Sequence, residues 1–430
     1  MEQTTKESLW QKSKLLLKGL LIGALSLLLL IPAYFVRDLI EEREARQKEA
    51  IAEVSGRWAG SQQLLAPVLV VPYWETVEYS NGSNESVRRL AYVLPDKLSI
   101  NGQIKPEQRH RGIYDVMLYT SDLQIDGRFD PLPLQQLQLS ADKVIWNEAY
   151  VAMGVTDAKG LREELQLKWN DSMYTLNPAR FDTGFLKEGF STPVSIAPGQ
   201  TATFSAQVKL QGSGELLFLP TGKSTDVKLS SVWKEPSFSG AALPDYTLND
   251  AGFTAQWKSL AHTRNFPQAW KNQTYQLQSA AMGVNLFIPV NGYQKTMRSV
   301  KYALLCIILT FAAFFLVETA GRRSVHPLHY GLVGVALILF YTLLLSVSEY
   351  AGFDTAYIVA AAATIGLITL FLKSVLQSGR LAAIMAFVLA LQYGYIFVVL
   401  QLQDSALLVG SIGLFVVLAV IMYFSRRIKW

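Results

Sequence analysis

Hydrophobic and polar positions divide the chain into three stretches. From 15 to 36 it reads LLLKGLLIGALSLLLLIPAYFV, about the length needed to cross a hydrocarbon core of roughly 30 Å as a helix. From Lys301 onward nearly every segment is apolar again, and the polar punctuation divides this block into about five helices, 302–319, 330–347, 356–372, 381–402 and 406–424. The region between holds most of the acids, amides and prolines, so a membrane part and a water-facing part alternate along one chain.

Just after the first apolar run, RDLIEEREARQKEAIA is rich in strong helix formers, and Glu44 stands four residues before Lys48 as a favourable pair. This predicts a helical stalk over 37–55 that stops before Gly56, with Pro67 and Pro72 bracketing the extended piece that follows. The pattern then changes to period two. IYDVMLYT at Ile113, LQIDGRF at Leu123, ELQLKW at Glu164, TFSAQVKL at Thr203, GFTAQW at Gly252 and TYQLQS at Thr274 alternate, with Asn-Gly, Asp-Gly and Pro-Gly as turn signals. Short strands at this spacing predict an antiparallel, mostly β domain of sandwich type. The resulting layout is 1–14 before the membrane, 15–36 as a signal-anchor helix, 37–55 as stalk, 56–298 as the β-rich domain and 299–430 as a five-helix block.

Charge fixes an expected orientation. The net charge of +5 does not form one patch; the basic residues sit at the ends of apolar segments, which argues against nucleic acid and for a lipid bilayer as partner. Lys6, Lys12 and Lys14 precede the first span, and its exit carries Pro32, Tyr34 and Phe35 instead of a small-residue cleavage site, so it reads as an uncleaved anchor with Lys18 close enough to the inner end to snorkel. Alternate crossings then put Arg322 and Arg323, Lys373 and Arg380, and Arg426, Arg427 and Lys429 on the inner side with both termini. The loops SEYAGFDT at Ser348 and QLQDS at Gln401 fall outside with the central domain and contain no Lys or Arg. The one cysteine, Cys306, lies in an apolar run, so no disulfide forms within the chain.

Candidate chemistry is sparse. His326 and His329 in H-P-L-H could share a metal, although no third ligand lies near in sequence; the same residues start a helix with Pro327 in its first turn. Glu318 at a helix end could serve a proton relay or a substrate, or be capped by Arg322 and snorkel to the interface. Glu349 and Asp354, with Gln401, Gln403 and Asp404, could form an acidic mouth or be ordinary solvated loop residues. Trp233 and Phe238 in W-K-E-P-S-F could be a ligand platform or a corner of the sandwich core. Thr310, Ser346, Thr364 and Gln392, with Gly334, Gly366 and Gly394, read as helix-packing positions. No Gly-rich phosphate loop, zinc spacing or HExxH occurs, so neither an enzyme nor a cofactor is expected.

Several longer stretches carry a family likeness. HPLHYGLVGVALILFYTLLLSVSEYAGF from His326, FVVLAVIMYFSRRIKW from Phe415, RSVKYALLCIILTF from Arg298, HRGIYDV from His110, LFLPTGKSTDVKLSSVWKEPSFSG from Leu217 and QQLLAPVLVVPY from Gln62 resemble the CreD family of bacterial inner-membrane proteins. Ala66 departs from that pattern, where a Gly is expected before Pro67. The resemblance implies a role in envelope integrity and stress response under the CreBC two-component system, with links to colicin tolerance and β-lactam response in some bacteria, and no enzymatic activity is assigned to that family. A periplasmic β domain that binds or senses a cell-wall, lipid or protein partner fits this best. A membrane carrier or channel, or a membrane enzyme acting on lipid-linked substrates, remain the alternatives, and the sequence leaves the oligomeric state open.

Overall fold

The computed structural model describes residues 17–78, 84–181, 186–286, 292–320, 325–402 and 406–425. They fall into two units, one formed by Met1–Lys48 with Val290–Trp430 and the other by Glu49–Pro289.

The first unit is helical. Helix α1, Leu17–Trp58, is 42 residues long. Its polar half is held helical by exposed i,i+4 ion pairs, among them Arg37–Glu41 at 2.9 Å, Arg46–Glu42 at 2.6 Å and Lys48–Glu44 at 2.9 Å. The helix runs on to Trp58, past the predicted stop before Gly56, because a lone glycine costs a helix only about 1 kcal/mol. It is followed in this unit by α2 (Gly292–Lys301), α3 (Ala303–Ala320), α4 (Pro327–Ala351), α5 (Phe353–Leu376), α6 (Gly379–Gln401) and α7 (Ala406–Ser425).

Among the described residues, α4, α5 and α6 are the C-terminal helices long and apolar enough to span a membrane unbroken, three and not the expected five. The expected span at 302–319 is the second arm of a pair, α2 and α3, bent by 47°. The reason lies in α2. Its sequence GYQKTMRSVK buries only one face, Tyr293, Thr296, Ser299 and Val300, while Gln294, Arg298 and Lys301 stay exposed, a pattern suited to an interface and not to hydrocarbon. The segment expected at 406–424 is helical as α7, and the residues flanking it lie outside the described ones.

Glycine lets two helices close on α4. A Cβ on Gly334 would stand 2.2 Å from Leu29 of α1 and 3.0 Å from Phe311 of α3. Gly366 and Gly394, expected to serve the same end, face open space.

The second unit is two β-sheets with a common core. In the nine-stranded sheet the long strand Gln62–Glu78 pairs antiparallel with Asn84–Val93 and Tyr150–Val155 and parallel with Glu215–Phe218. Its run from Leu64 to Tyr73 is buried throughout, as a central strand covered on both faces requires, and Pro67 falls at the register shift between Leu65 and Val68, where no ladder bond is demanded. The eight-stranded sheet runs Asp245–Asn249, Gly252–Leu260, Ser224–Ser231, Lys97–Arg111, Tyr114–Phe129, Ala202–Ser213, Gln166–Trp169 and Ser172–Thr175. Val71 and Tyr73 of the first sheet meet Ile100, Ile125, Val208 and Trp257 of the second in one apolar core. Tyr119 crosses that core to donate to the Glu215 carbonyl at 2.8 Å, and burial pushes its phenol well above the usual range.

Three expectations for this unit change. The sheets are not wholly antiparallel, since Lys97–Arg111 also pairs parallel with Ser224–Ser231. Asn101-Gly102 and Asp126-Gly127 are not turns but lie inside strands; a Cβ would come within 2.5 Å of the Leu123 side chain at Gly102 and 2.2 Å of the Phe204 ring at Gly127, so close packing selects these glycines. TYQLQS is not a strand: Tyr275 packs on Trp270 at 5.5 Å and Leu277 enters a separate apolar cluster through a 3₁₀ turn, so the alternation reflects two anchor points on a loop.

Candidate functional site

In the helical unit one carboxylate organises the end of the bundle where α1 begins. Glu318, in the last turn of α3, is 6% exposed. The Lys18 ammonium from α1 donates to its Oε1 and, at 2.7 Å, to the Val325 carbonyl. The backbone N–H of Val325 donates to Oε1 at 2.9 Å and the Tyr330 hydroxyl of α4 to Oε2 at 2.7 Å. Tyr330 stacks on Phe314 at 4.4 Å and meets Phe311 edge-on at 5.6 Å, so its hydroxyl is aimed by packing. Both carboxylate oxygens are thus engaged, and three helices are tied at one point.

The sequence offers Arg322 as the cap for Glu318, and Arg322 lies outside the described residues; the partner in the fold is Lys18, 300 positions away. The available signal was that each is a lone charge of opposite sign near the same end of an apolar span.

A second polar chain crosses the bundle interior. Thr310 donates to Gln392 Oε1 at 3.3 Å, Gln392 Nε2 donates to the Cys306 carbonyl at 3.0 Å, and the Tyr357 hydroxyl donates to the Tyr393 carbonyl at 2.9 Å. Each group satisfies another helix, which is the chemistry of packing in hydrocarbon.

At the other end of the same helices, acids and bases are interleaved. Glu349 accepts from Tyr293 at 3.0 Å with Arg43 Nε at 3.9 Å, and Asp354 accepts from Gln401 at 2.6 Å with Lys295 at 3.8 Å. The acidic mouth read from the loops alone is supplied with cations from α1 and α2. Asp404 and Gln403 lie outside the described residues. His326 caps α4, its Nδ1 accepting from the Leu328 N–H at 3.2 Å, while His329 packs on Phe371 at 5.7 Å. No group of three metal-ligating side chains occurs among the described residues.

In the β unit, Phe238 is committed to its neighbours, with ring centroids 4.9 Å from Tyr246 and 5.7 Å from both Phe253 and Trp257. Trp233 packs against the core and donates its indole N–H to the Glu235 carbonyl at 2.8 Å. Beside them lies a feature the sequence did not mark. The strand Asp245–Asn249 closes one edge of the eight-stranded sheet, pairs only with Gly252–Leu260 among the described residues, and is exposed at all five positions. Tyr246 and Leu248 stand opposite Ala255 and Phe253 on the core side of the sheet, yet they are 57% and 50% exposed, and Leu243 beside them is 80% exposed. The core face of the second sheet therefore runs out past its cover as an apolar ledge.

An N-terminal apolar helix, a central mostly β domain and a block of C-terminal apolar helices with internally satisfied polar groups define a membrane protein of mixed architecture. The chain belongs to the CreD family: the family model described as Inner membrane protein CreD matches residues 14–430. The inner membrane protein CreD of Escherichia coli (strain K12) is 32% identical over 420 residues, covering 95% of this chain and 92% of that protein. Among solved structures, a putative nutrient binding protein of Legionella pneumophila is 8% identical, covers 56% of this chain and 86% of its own, and aligns with a TM-score of 0.22, too low to carry an argument.

Proposed function

We propose that this protein is a non-catalytic component of envelope integrity and stress response, whose β unit faces the periplasm and takes an envelope protein as partner while the helical unit anchors it. The observation that carries this reading is the ledge on the open sheet edge. A strand with one row of backbone N–H and C=O groups unpaired among the described residues, carrying Tyr246 and Leu248 and preceded by Leu243, offers the chemistry of strand addition by a polypeptide. Soluble surfaces rarely leave such contiguous apolar area unused.

Charge supports this orientation. The short loops SEYAGFDT and QLQDS contain no Lys or Arg, whereas the loops at the opposite ends of these spans carry Lys373 and Arg380 and, in sequence, Arg322 and Arg323, which supports cytoplasmic termini and a periplasmic central unit. Reporter fusions are expected to give periplasmic activity at Gly240 and cytoplasmic activity at Trp430; the reverse at either position overturns the arrangement.

Partner binding is tested with a photo-crosslinking residue at Leu243 or Leu248 in intact cells. One discrete protein adduct is expected, and Tyr246→Asp with Leu248→Asp is expected to lower its yield at least tenfold and to abolish complementation of a deletion strain. Both side chains are at least half exposed, and losing the Tyr246–Phe238 ring contact should cost only about 1 kcal/mol, so the melting temperature should fall by no more than a few degrees. Full complementation by the double variant would remove the ledge from the function.

A further inference from the structure

At one end of the eight-stranded sheet four strand termini meet, and the loops around them are tied together before any ligand arrives. Lys97, Arg128, Ser224 and Leu260 are direct cross-strand neighbours in the order Leu260, Ser224, Lys97, Arg128. They share the outer face, since Leu98, Phe129, Thr225 and Ser259, one residue along each strand, are buried. The Asp96 N–H donates to Arg128 O at 2.8 Å, Lys223 N–H to Pro95 O at 2.8 Å, Ser224 N–H to Asp96 O at 3.0 Å and Ala261 N–H to Lys223 O at 2.9 Å.

A second clamp lies behind these bonds. Gln268 Nε2 donates to Pro95 O at 2.6 Å and Thr221 O at 3.3 Å, and the Arg264 guanidinium donates to Pro220 O and Gln268 Oε1. Its two hydrogen bonds commit this cation to the Pro220 backbone and the Gln268 side chain, and burial draws its pKa down to about 10. Together the two sets of bonds fix the walls of an open cavity of about 430 Å³, lined by Asp96, Lys97, Arg128, Asp130, Lys223 and His262 among others. That volume lies in the range of roughly 300–1,000 Å³ usual for small-ligand sites.

The charges around this cavity do not cancel. Asp96 accepts from the Asp130 N–H at 2.8 Å and Asp130 lies 2.9 Å from Arg128 Nε, and these two carboxylates face the three cations Lys97, Arg128 and Lys223. The side chains of Lys97, Lys223 and His262 have no hydrogen bond or ion pair with any described residue. Lys97 also stands directly across from Arg128, and like charges paired across strands destabilise a sheet. A group with several anionic oxygens between them reverses the sign of that interaction and accepts from both the Lys97 ammonium and the Arg128 guanidinium.

We infer that this cavity is a binding site for a phosphate-type oxyanion, either the free ion or the phosphoryl end of a larger envelope molecule, with Lys97 and Lys223 as its principal cationic contacts and Ser224 and His262 at its rim. The site lies on the outer face of the sheet, and the ledge lies on the core side of its edge, so either can fail without the other.

The test uses the full-length protein in detergent at low ionic strength, titrated calorimetrically with inorganic phosphate and, separately, with glycerol phosphate as a soluble headgroup. Saturable binding of either is expected, and the tighter of the two identifies the source. Lys97→Gln with Lys223→Gln should weaken it at least tenfold, Lys97→Arg should retain it, and Lys168→Gln, at a separate exposed lysine of the same sheet, should leave it unchanged. No saturable heat with either probe, or equal binding by the Lys97 and Lys223 double variant at an unchanged melting temperature, would overturn the assignment.

Discussion

Glu318→Ala is expected to produce the largest loss of stability of any single substitution in the helical unit, roughly 3–5 kcal/mol, because it strands the Lys18 ammonium among three helices with only the Val325 carbonyl left to accept from it. It also removes the acceptor of the Tyr330 hydroxyl and of the Val325 N–H in the same step. Thermal unfolding of the purified protein in detergent should register this as a markedly lower midpoint. The informative comparison is Lys18→Met with Glu318→Gln. Taking both charges away removes the desolvation cost along with the attraction, so the pair of substitutions should recover most of the loss, and the interaction energy from the cycle should be large and favourable. If Glu318→Ala alone melts like the wild type, the buried pair does not hold the bundle.

In the β unit, Gly252→Ala should be worse than most core truncations. Gly252 has φ +121°, and a Cβ there would stand 2.0 Å from the Ser231 carbonyl oxygen and 2.6 Å from the Val232 Cα. Such a backbone conformation costs a non-glycine residue about 1–3 kcal/mol, and the obstacle is backbone, which cannot swing aside as a side chain can. The ladder between Ser224–Ser231 and Gly252–Leu260 has to open at that end, releasing the strand Asp245–Asn249 beyond it. Hydrogen exchange should show protection lost first across Gly252–Leu260 where it pairs with Asp245–Asn249, and a crosslinker at Leu248 should lose its partner. Gly199→Ala is the control. Its φ of +73° carries strain, but nothing lies within 4 Å, so a loss nearer 1 kcal/mol with an intact sheet edge is expected. Comparable effects of the two substitutions would show that the close approach at Gly252 is not what matters.

Much of the molecule is legible from its residues alone. Period and length were enough for the first apolar helix and its charged extension, down to the Glu44–Lys48 pair, and for the alternating segments that became Tyr114–Phe129, Gln166–Trp169, Ala202–Ser213 and Gly252–Leu260. Local signals failed where tertiary packing decided the outcome. Asn101-Gly102 has the dipeptide of a tight turn, but its glycine is there to admit the Leu123 side chain, a contact no short window contains. W-K-E-P-S-F suits a platform and a core corner equally, and only the rings of Phe253 and Trp257 around Phe238 show where that aromatic is spent. Glu318 stands out as unusual in the sequence, while Lys18 reads only as a snorkelling cation, because pairing them requires knowing that α1 lies against α3 and α4. The cavity at the sheet end was invisible for the same reason: Lys97, Arg128, Lys223 and His262 come from four separate segments, each an ordinary polar stretch.

The two parallel strand pairings bear on how the β unit comes into being. Gln62–Leu64 finds its parallel neighbour only at Leu216–Phe218, and Lys97–Ile104 finds its own at Ser224–Ser231. Hairpins such as Lys97–Arg111 with Tyr114–Phe129 can form early, but neither sheet acquires its full set of neighbours until more than a hundred further residues have been delivered. Contacts of such long range make closure slow. A nascent chain halted anywhere short of Ser231 would therefore hold two incomplete sheets with open edges, a target for proteolysis and not a smaller working version of the domain.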